Sequence, residues 1–205
     1  MSTVTIAPVT DDEVRIVAEL LVSSFPDKFG SILGSEATAL MSELYESRPA
    51  RFVTDTRLAR VDGTPAGFIR LDLGGSSFTE QARSFLPVAA KRYGRRQAFI
   101  RLLKVFVFEV PPLDLRRQEL YVKTVGVVPG FRDHGVGTKL LAHAEEEARE
   151  RGKRILSLQV ISFNVDAIRL YQRLGFELGP RRESRALRWA AGRAVGYHKM
   201  VKPLS

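Results

Sequence analysis

The chain has 205 residues, of which 44% are hydrophobic and 27% charged, which is the composition of a folded globular protein with one large or two small domains. It has no run near the ~18 uncharged apolar residues of a membrane helix, no signal-like start and no cysteine, so we expect a cytoplasmic protein without membrane association, disulfides or a catalytic thiol. Three histidines leave little material for a metal site, so no metal is expected, and the net charge of +9 predicts attraction to a polyanion without naming it.

The first quarter of the chain reads as a strand followed by two helices. A strand is predicted from Thr3 to Ala7. An amphipathic helix follows from Asp11 to Phe25, because its apolar residues recur at helical spacing. A loop over 24–30 separates it from a second helix at Ser35 to Ser47. This order predicts a β-α-α beginning.

The next segments predict a hairpin and an insertion. Strand-like runs at Phe52 to Val61 and Ala66 to Leu73 flank the turn signal Asp62-Gly63, which favours an antiparallel hairpin. From Gly74 to Arg117 the chain is basic and mostly helical in pattern. We interpret this stretch as an inserted helical element.

The second half predicts strand, loop, helix, strand and helix in succession. The strands are expected at Leu120 to Val128 and Ile155 to Phe163, and the helices at Thr138 to Arg151 and Asp166 to Leu174. Because parallel neighbours need a crossover, this succession predicts a mostly parallel sheet here. The region from Arg181 to Lys199 is expected to add a closing antiparallel pair of strands.

The segment from Arg132 to Thr138 carries the sharpest chemical signal. It contains Gly135 and Gly137 and lies between a valine-rich strand and an amphipathic helix. Glycines let another group approach the backbone closely, and the free N–H groups of a helix start attract anions. The turn therefore predicts a phosphate site, although glycines in such a turn serve packing about as often. It is neither a P-loop nor a dinucleotide-binding unit, because the spacing of both is absent.

Two motifs taken together resemble the GNAT family of acyl-CoA-dependent N-acetyltransferases. One runs from Val125 to Leu141 and includes the family's Arg/Gln-x-x-Gly-x-Gly/Ala pattern as Arg132-x-x-Gly135-x-Gly137; the other is Asn164-x-x-Ala167-x-x-x-Tyr171-x-x-x-Gly175-Phe176. The resemblance is strong over 119–178 and looser in the N-terminal half. It implies an α/β fold in one domain over 1–205, with a mixed central sheet of about seven strands flanked by helices. It also implies a helical insertion at 74–118 before the fourth strand and an acetyl-CoA-binding core at 119–178.

The resemblance implies acetyl-CoA as the co-substrate and a set of residues that bind it. The turn would hold the pyrophosphate through its main-chain amides, and the main chain at Val125 to Val127 would pair with the pantetheine arm where the strand splays near a bulge. Asn164 matches the family's asparagine that contacts the same arm. The cofactor-binding residues implied are Val125, Val127, Arg132, His134, Gly135, Val136, Gly137, Thr138 and Asn164.

The same resemblance implies catalytic roles. Tyr171 matches the tyrosine assigned as the acid that protonates the leaving thiolate, and a phenol with a reference pKa of ~10 keeps its proton at neutral pH. At the strand position where many members carry a carboxylate base, this chain has Tyr121, which that position makes a candidate catalytic residue. Glu119, two residues earlier on the same strand face, is a possible substitute acting through water, although an exposed strand-start carboxylate with no role explains it slightly better. The base is therefore unassigned.

Each of these residues also has an alternative, purely structural explanation. Tyr171 has apolar neighbours typical of a core residue, Asn164 suits a helix start, Arg132 could be a solvated surface residue, and His134 could equally be a loop residue without a role. Asp133 stands where the family frequently has Gly and would add negative charge near phosphates.

The sequence defines the acceptor substrate much less clearly than the cofactor. Between 80 and 117 nine basic residues accompany three acidic ones, so this stretch contributes +6 of the total +9. The basic residues are Arg83, Lys91, Arg92, Arg95, Arg96, Arg101, Lys104, Arg116 and Arg117. An anionic acceptor is one explanation, but a solvated helix face or a dimer contact has the better prior.

The resulting hypothesis is an N-acetyltransferase that moves an acetyl group from acetyl-CoA to a primary amine of a small molecule or peptide by direct attack. A homodimer is compatible with it. The alternative is a non-catalytic acyl-CoA-binding module, or a basic polyanion- or nucleic-acid-binding module, but no nucleic-acid motif supports the latter.

Overall fold

The computed structural model describes residues 3–47, 54–73, 78–109, 115–192 and 196–204. Its strands are β1 (Val4–Pro8), β2 (Thr56–Val61), β3 (Thr64–Leu71), β4 (Glu119–Val127), β5 (Ile155–Ile161), β6 (Glu177–Glu183) and β7 (Gly196–Pro203). Its α-helices are α1 (Val14–Ser24), α2 (Pro26–Leu33), α3 (Ala37–Glu46), α4 (Phe78–Glu109), α5 (Val136–Glu150), α6 (Val165–Arg173) and α7 (Arg185–Ala191). The predicted β-α-α beginning, the hairpin and the second-half elements are confirmed within a few residues; positions 52 and 53 of the predicted hairpin lie outside the described residues.

All seven strands form one mixed sheet in the order β1-β2-β3-β4-β5-β7-β6. Only β4 and β5 pair in parallel, and the other five neighbouring pairs are antiparallel. The mixed sheet of about seven strands, the parallel pair joined by a crossover helix and the closing antiparallel strands are all confirmed. Strand β7 returns between β5 and β6, so the sheet as a whole is mostly antiparallel.

The two faces of the sheet are covered by different helices. Helices α1 to α4 pack on one face around side chains such as Leu58 and Phe68, and we call this the α1 face. Helices α5 and α6 pack on the other around Leu71, Val122 and Leu158, and we call this the α5 face. Burying apolar side chains on both faces of the central strands stabilises this layered arrangement.

Two short helices were not foreseen by the sequence pattern. The predicted loop over 24–30 is largely helix α2, which begins with Pro26 in the first turn, where proline is tolerated because its missing N–H has no helical partner. Helix α7 interrupts the predicted closing pair of strands between β6 and β7; residues 193–195 of that region are not described.

The predicted helical insertion is α4, which is broken at Gly94 by a φ of +73°. Several of its basic residues attach it to neighbouring helices. Arg92 lies 2.6 Å from Glu43 of α3, the Arg101 guanidinium donates a hydrogen bond to the Ile32 carbonyl of α2, and the Lys104 ammonium lies 5.7 Å from the centroid of the Trp189 ring of α7. These contacts indicate that some of the basic residues of α4 serve to pack it against neighbouring helices. Residues 74–77 and 110–114 of the insertion lie outside the described part.

In the described residues, no helix combines the length and apolarity needed to span a membrane.

Candidate active site

The glycine-bearing turn leads into the N-terminus of α5. Gly135 is the residue before the helix and has a φ of +74°, a conformation in which a side chain would be strained. The first helical hydrogen bond runs from Lys139 N–H to the Gly135 carbonyl at 3.0 Å. The N–H groups of Val136, Gly137 and Thr138 therefore have no acceptor within the helix and can bind an anion.

The side chains of this turn are exposed and folded back on the backbone. Arg132 Nε donates to the Val127 carbonyl at 3.3 Å, and His134 Nδ1 lies 2.6 Å from the Arg132 carbonyl. Asp133 has a φ of +64°, in the left-handed region that favours glycine. The backbone at Asp133 thus adopts a conformation that glycine favours, and the Asp133 side chain adds a negative charge to the turn.

Strand β4 separates from β5 beside this turn. The parallel ladder between them extends only from Glu119/Ile155 to Val122/Leu158. Next to its end, the β3–β4 register skips Lys123, which is a β-bulge. The carboxyl-terminal part of β4 therefore presents one edge to the gap between the two strands.

The edge of β4 that faces this gap is formed by the main chain of Val125 and Val127. Val128 N–H donates to the Ala66 carbonyl of β3 at 3.0 Å. Because paired residues in an antiparallel ladder alternate between bonded and non-bonded pairs, Val125 and Val127 direct their N–H and C=O groups away from β3. These are the backbone groups that the sequence resemblance assigned to the pantetheine arm.

Gly137 lies where β4, α5 and α6 meet. A methyl group on Gly137 would lie 3.6 Å from Leu170 Cδ2 and 3.8 Å from Val127 Cγ2, which is ordinary van der Waals contact. The structure thus brings the end of β4, the glycine turn and the helix that carries Tyr171 together.

A second close approach occurs on the opposite face of β4. A Cβ on Gly126 would lie 2.7 Å from the Phe68 ring and 2.9 Å from Ser24 Oγ, so only glycine fits between β4 and these side chains. Ser24 Oγ is buried and has no hydrogen-bond partner among the described residues. A buried polar atom without a partner beside the open strand edge is compatible with a ligand that supplies one.

Asn164 is the N-cap of α6. Its Oδ1 accepts a hydrogen bond from Ala167 N–H at 3.3 Å. This satisfies one of the free donors at the helix start, as the structural explanation of this residue expects. The amide group of the same side chain is exposed at the carboxyl end of β5, so a contact with the cofactor arm stays a prediction.

Tyr171 lies on the inner side of α6, and the whole residue is 9% exposed. Its ring packs against Phe176 with 5.9 Å between centroids. Burial raises the pKa of Tyr171 to about 12, because the charged phenolate would lose its solvation. The phenol therefore keeps its proton throughout the neutral range.

Glu119 and Tyr121 lie on the α1 face of β4, and both are buried. The Glu119 side chain is only 1% exposed and forms an ion pair of 2.9 Å with Lys199 of β7. Its other oxygen accepts a hydrogen bond from Arg116 N–H at 3.1 Å. The idea of an exposed strand-start carboxylate at Glu119 is wrong, because the side chain is enclosed by β7 and the loop before β4.

A cavity of about 500 Å³ opens beside this ion pair. It is lined from β4 to β6 by residues that include Glu119, Lys199, Arg116, Glu177, Pro180 and Arg182. The cavity lies at the end of β4 that is remote from the glycine turn.

The sequence patterns did not indicate one group of charged residues that the structure brings together. Lys123, the bulged residue of β4, has a side chain that is only 9% exposed and lies 3.0 Å from Asp72 Oδ1 and 3.7 Å from Asp55 Oδ2. Three segments far apart in the sequence supply these residues, so no local spacing relates them. In the described residues, no group of three or more His, Asp or Glu is placed to hold a metal ion.

Comparison with known proteins places this chain in a family. The profile of the acetyltransferase (GNAT) family matches residues 15–176, which is well over half of the chain. The chain therefore belongs to the GNAT acetyltransferase family, as its two motifs predicted.

Individual relatives match over shorter lengths. The chain is 44% identical over 59 residues to streptothricin acetyltransferase of Streptomyces lavendulae, covering 29% of this chain and 31% of that protein. It is 30% identical over 112 residues to the [ribosomal protein bS18]-alanine N-acetyltransferase of Escherichia coli K12, covering 51% of this chain and 74% of that protein. The first curated relatives are matched over only about a third to a half of their length.

Solved structures confirm the fold over almost the whole chain. The structure of yncA, a putative acetyltransferase from Salmonella typhimurium with its cofactor acetyl-CoA, superposes with a TM-score of 0.59 at 18% identity. The superposition covers 98% of this chain and 94% of the other. At this identity the likeness defines the fold alone.

Proposed function

We propose that the protein is an N-acetyltransferase that moves the acetyl group of acetyl-CoA to a primary amine by direct attack. The observation that carries the proposal is the early end of the β4–β5 ladder at Val122/Leu158, beside the free N–H groups at the start of α5. A narrow gap with a strand edge on one side and an anion site at its mouth suits a thioester on a long polar arm that ends in a diphosphate.

The chain's own residues divide the binding of acetyl-CoA between backbone and side chains. The amides of Gly135, Val136, Gly137 and Thr138 would hold the diphosphate, and Arg132 and His134 would add charge or hydrogen bonds from the same turn. The main chain at Val125 and Val127 would accept the arm as an added strand, with Asn164 contacting it from α6. When bound, acetyl-CoA supplies an activated acetyl thioester.

Catalysis would come largely from placing the amine beside the thioester carbonyl. We propose that Tyr171 donates a proton to the departing sulfur. With its pKa raised to about 12 by burial, the phenol carries that proton at neutral pH. Tyr121 and Glu119 lie on the α1 face of β4, and the sequence leaves the base unassigned, with Glu119 acting through water as one candidate.

The whole chain would act as one domain, with 119–178 binding acetyl-CoA and the insertion at 74–118 bordering the acceptor side. A cytoplasmic location and a homodimer stay predictions of the sequence. The acceptor class remains broad: streptothricin acetyltransferase and the ribosomal alanine N-acetyltransferase suggest both a small-molecule amine and a peptide amine. An anionic acceptor has less support, because Arg92, Arg101 and Lys104 contact neighbouring helices.

The test is release of CoA from acetyl-CoA in the presence of a panel of amines. The panel contains streptothricin, a diamine, free lysine and a peptide that begins with alanine, and the thiol is measured with a chromogenic reagent. Transfer is shown when CoA release depends on one amine and mass spectrometry finds that amine acetylated. Tight binding of acetyl-CoA with no release in any mixture would instead indicate the non-catalytic acyl-CoA-binding module, and polyanion binding without acetyl-CoA binding would indicate the basic binding module.

A further inference from the structure

The strand position at which the family often carries a carboxylate base holds Tyr121, so the proton acceptor has to come from elsewhere. Resting on the proposed acetyl transfer, we infer that Asp72, at the end of β3, is the catalytic base. It supplies from the neighbouring strand the carboxylate that is absent at position 121 of β4.

The register of the sheet carries this inference. Asp72 N–H donates to the Tyr121 carbonyl at 2.8 Å, and the preceding pair in the ladder is Leu71 with Val122. Asp72 and Tyr121 are therefore directly opposite each other. Residues directly opposite in an antiparallel ladder project to the same face with Cβ atoms about 4.5–5.5 Å apart. The Asp72 side chain thus starts within about one side-chain length of the position where the family places its carboxylate.

Asp72 projects to the α1 face of the sheet, the face from which the acceptor would approach. Leu71 and Val122 belong to the core on the α5 face, so by alternation Asp72 and Tyr121 project to the α1 face. The cofactor gap lies along the same strand, on the far side of the bulge at Lys123. An amine that approaches over the α1 face would pass Asp72 before it reaches the gap.

An ion pair with Lys123 orients the Asp72 carboxylate. The Lys123 ammonium lies 3.0 Å from Asp72 Oδ1, and Asp55 lies on the other side of the same ammonium at 3.7 Å. Asp72 Oδ1 is buried beside the Lys123 ammonium, and a carboxylate oxygen with two lone pairs can accept a further hydrogen bond from an amine or a bridging water.

Glu119 is placed less well for this role. Its carboxylate is 1% exposed and bound by Lys199, and one of its oxygens also accepts the Arg116 N–H. It lies two residues from Tyr121 in the direction away from the bulge and the cofactor gap. The Asp72 side chain is 16% exposed and lies on the side of the bulge.

The step conserves atoms and charge. The amine nitrogen forms a bond to the thioester carbonyl carbon and gives one proton to Asp72, directly or through one water. The carbon–sulfur bond then breaks, and Tyr171 gives its proton to the sulfur. Asp72 returns its proton and Tyr171 regains one by exchange with solvent, which leaves the acetylated amine and CoA.

The test compares two aspartates that share one lysine. The assay uses the amine that reacts fastest in the panel and compares Asp72→Asn, Asp55→Asn and Glu119→Gln. Each rate is divided by the concentration of acetyl-CoA-binding sites, so that misfolded protein does not contribute. We expect Asp72→Asn to lower kcat about 100-fold or more, the usual contribution of a general base, with acetyl-CoA Kd unchanged. Asp72→Glu, which keeps a carboxylate, should stay within tenfold of the wild type.

Chemical rescue separates a missing base from a structural defect. Added formate should raise the rate of Asp72→Ala at least tenfold and leave Asp55→Ala unchanged, because only the first lacks the proton acceptor. The inference is overturned if Asp72→Asn and Asp55→Asn lose activity equally, if Glu119→Gln alone loses kcat, or if formate restores nothing. In all three cases the wild type still acetylates the amine, whereas failure of the proposed function would leave the wild type itself inactive.

Discussion

Gly137→Ala tests whether the space between β4 and α6 belongs to acetyl-CoA. The added methyl would lie 3.6 Å from Leu170 and 3.8 Å from Val127, so the free protein accommodates it without displacement. Alanine in place of a helical glycine stabilises by about 0.5–1 kcal/mol. For a chain of 150–250 residues each kcal/mol shifts Tm by about 2–4 °C, so Tm should rise by about 1–4 °C.

The same methyl should weaken binding of acetyl-CoA. It narrows the slot between the edge of β4 and Leu170, through which the pantetheine arm would pass. Overfilling a well-packed space costs about 1–3 kcal/mol, which corresponds to about a five- to 150-fold increase in Kd. Isothermal titration of acetyl-CoA measures that increase, and thermal melting of the free protein measures the gain in stability.

The control is Gly30→Ala in α2, another helical glycine, whose methyl would meet nothing within 4 Å. It should raise Tm similarly and leave the Kd for acetyl-CoA unchanged. Gly135 is less informative, because its φ of +74° strains any side chain and mixes folding with binding. If Gly137→Ala is more stable and binds acetyl-CoA as tightly as the wild type, the arm does not pass between β4 and α6.

Further predictions concern the acid and the turn. Tyr171→Phe should lower kcat about 100-fold, within the range typical of a general acid, with acetyl-CoA Kd unchanged; an unaltered kcat would remove Tyr171 from the mechanism. Because burial raises the folded-state pKa of Tyr171 to about 12, above the ~10 of an unfolded chain, the protonated phenol favours the folded state. The wild type should therefore lose stability from about pH 10 upward more steeply than Tyr171→Phe, as parallel melting curves would reveal. Asp133→Asn should tighten acetyl-CoA binding about two- to five-fold, from the ~0.3–1 kcal/mol of an exposed charge near a helix N-terminus, and the gain should shrink in high salt; looser binding would mean that the carboxylate assists the site.

The second half of the fold was predictable because its signals are local. Gly135 and Gly175 adopt φ values of +74° and +86°, and each lies at a helix boundary where the sequence shows a glycine at the expected place. Apolar residues at helical spacing on α5 define the side that packs on the sheet. The predicted cofactor residues are close in the sequence, so a motif of fixed spacing can carry them together.

The remaining parts depend on contacts between distant segments. Helix α2 is short, and its pattern over 26–33 contains Gly30 and charged residues that suit a loop equally well. The basic residues of α4 read as a charged surface, whereas Arg92 pairs with Glu43, which lies 49 residues away in the sequence. Spacing within a segment cannot reveal such partners, because tertiary packing decides them.

The position of Asp72 opposite Tyr121 could not be predicted from the sequence, because it depends on the bulge at Lys123. Arg70 pairs with Thr124, but Leu71 pairs with Val122, so one residue of β4 is left out of the ladder. In a regular ladder without the bulge, Asp72 would lie opposite Val122. Asp72 and Tyr121 would then project to opposite faces of the sheet, because a one-residue shift reverses the face of a side chain. The same bulge places Lys123 beside Asp72 and starts the separation of β4 from β5. A single irregularity in the ladder therefore accompanies the gap proposed for the thioester and places a carboxylate on the side from which we propose that the acceptor approaches.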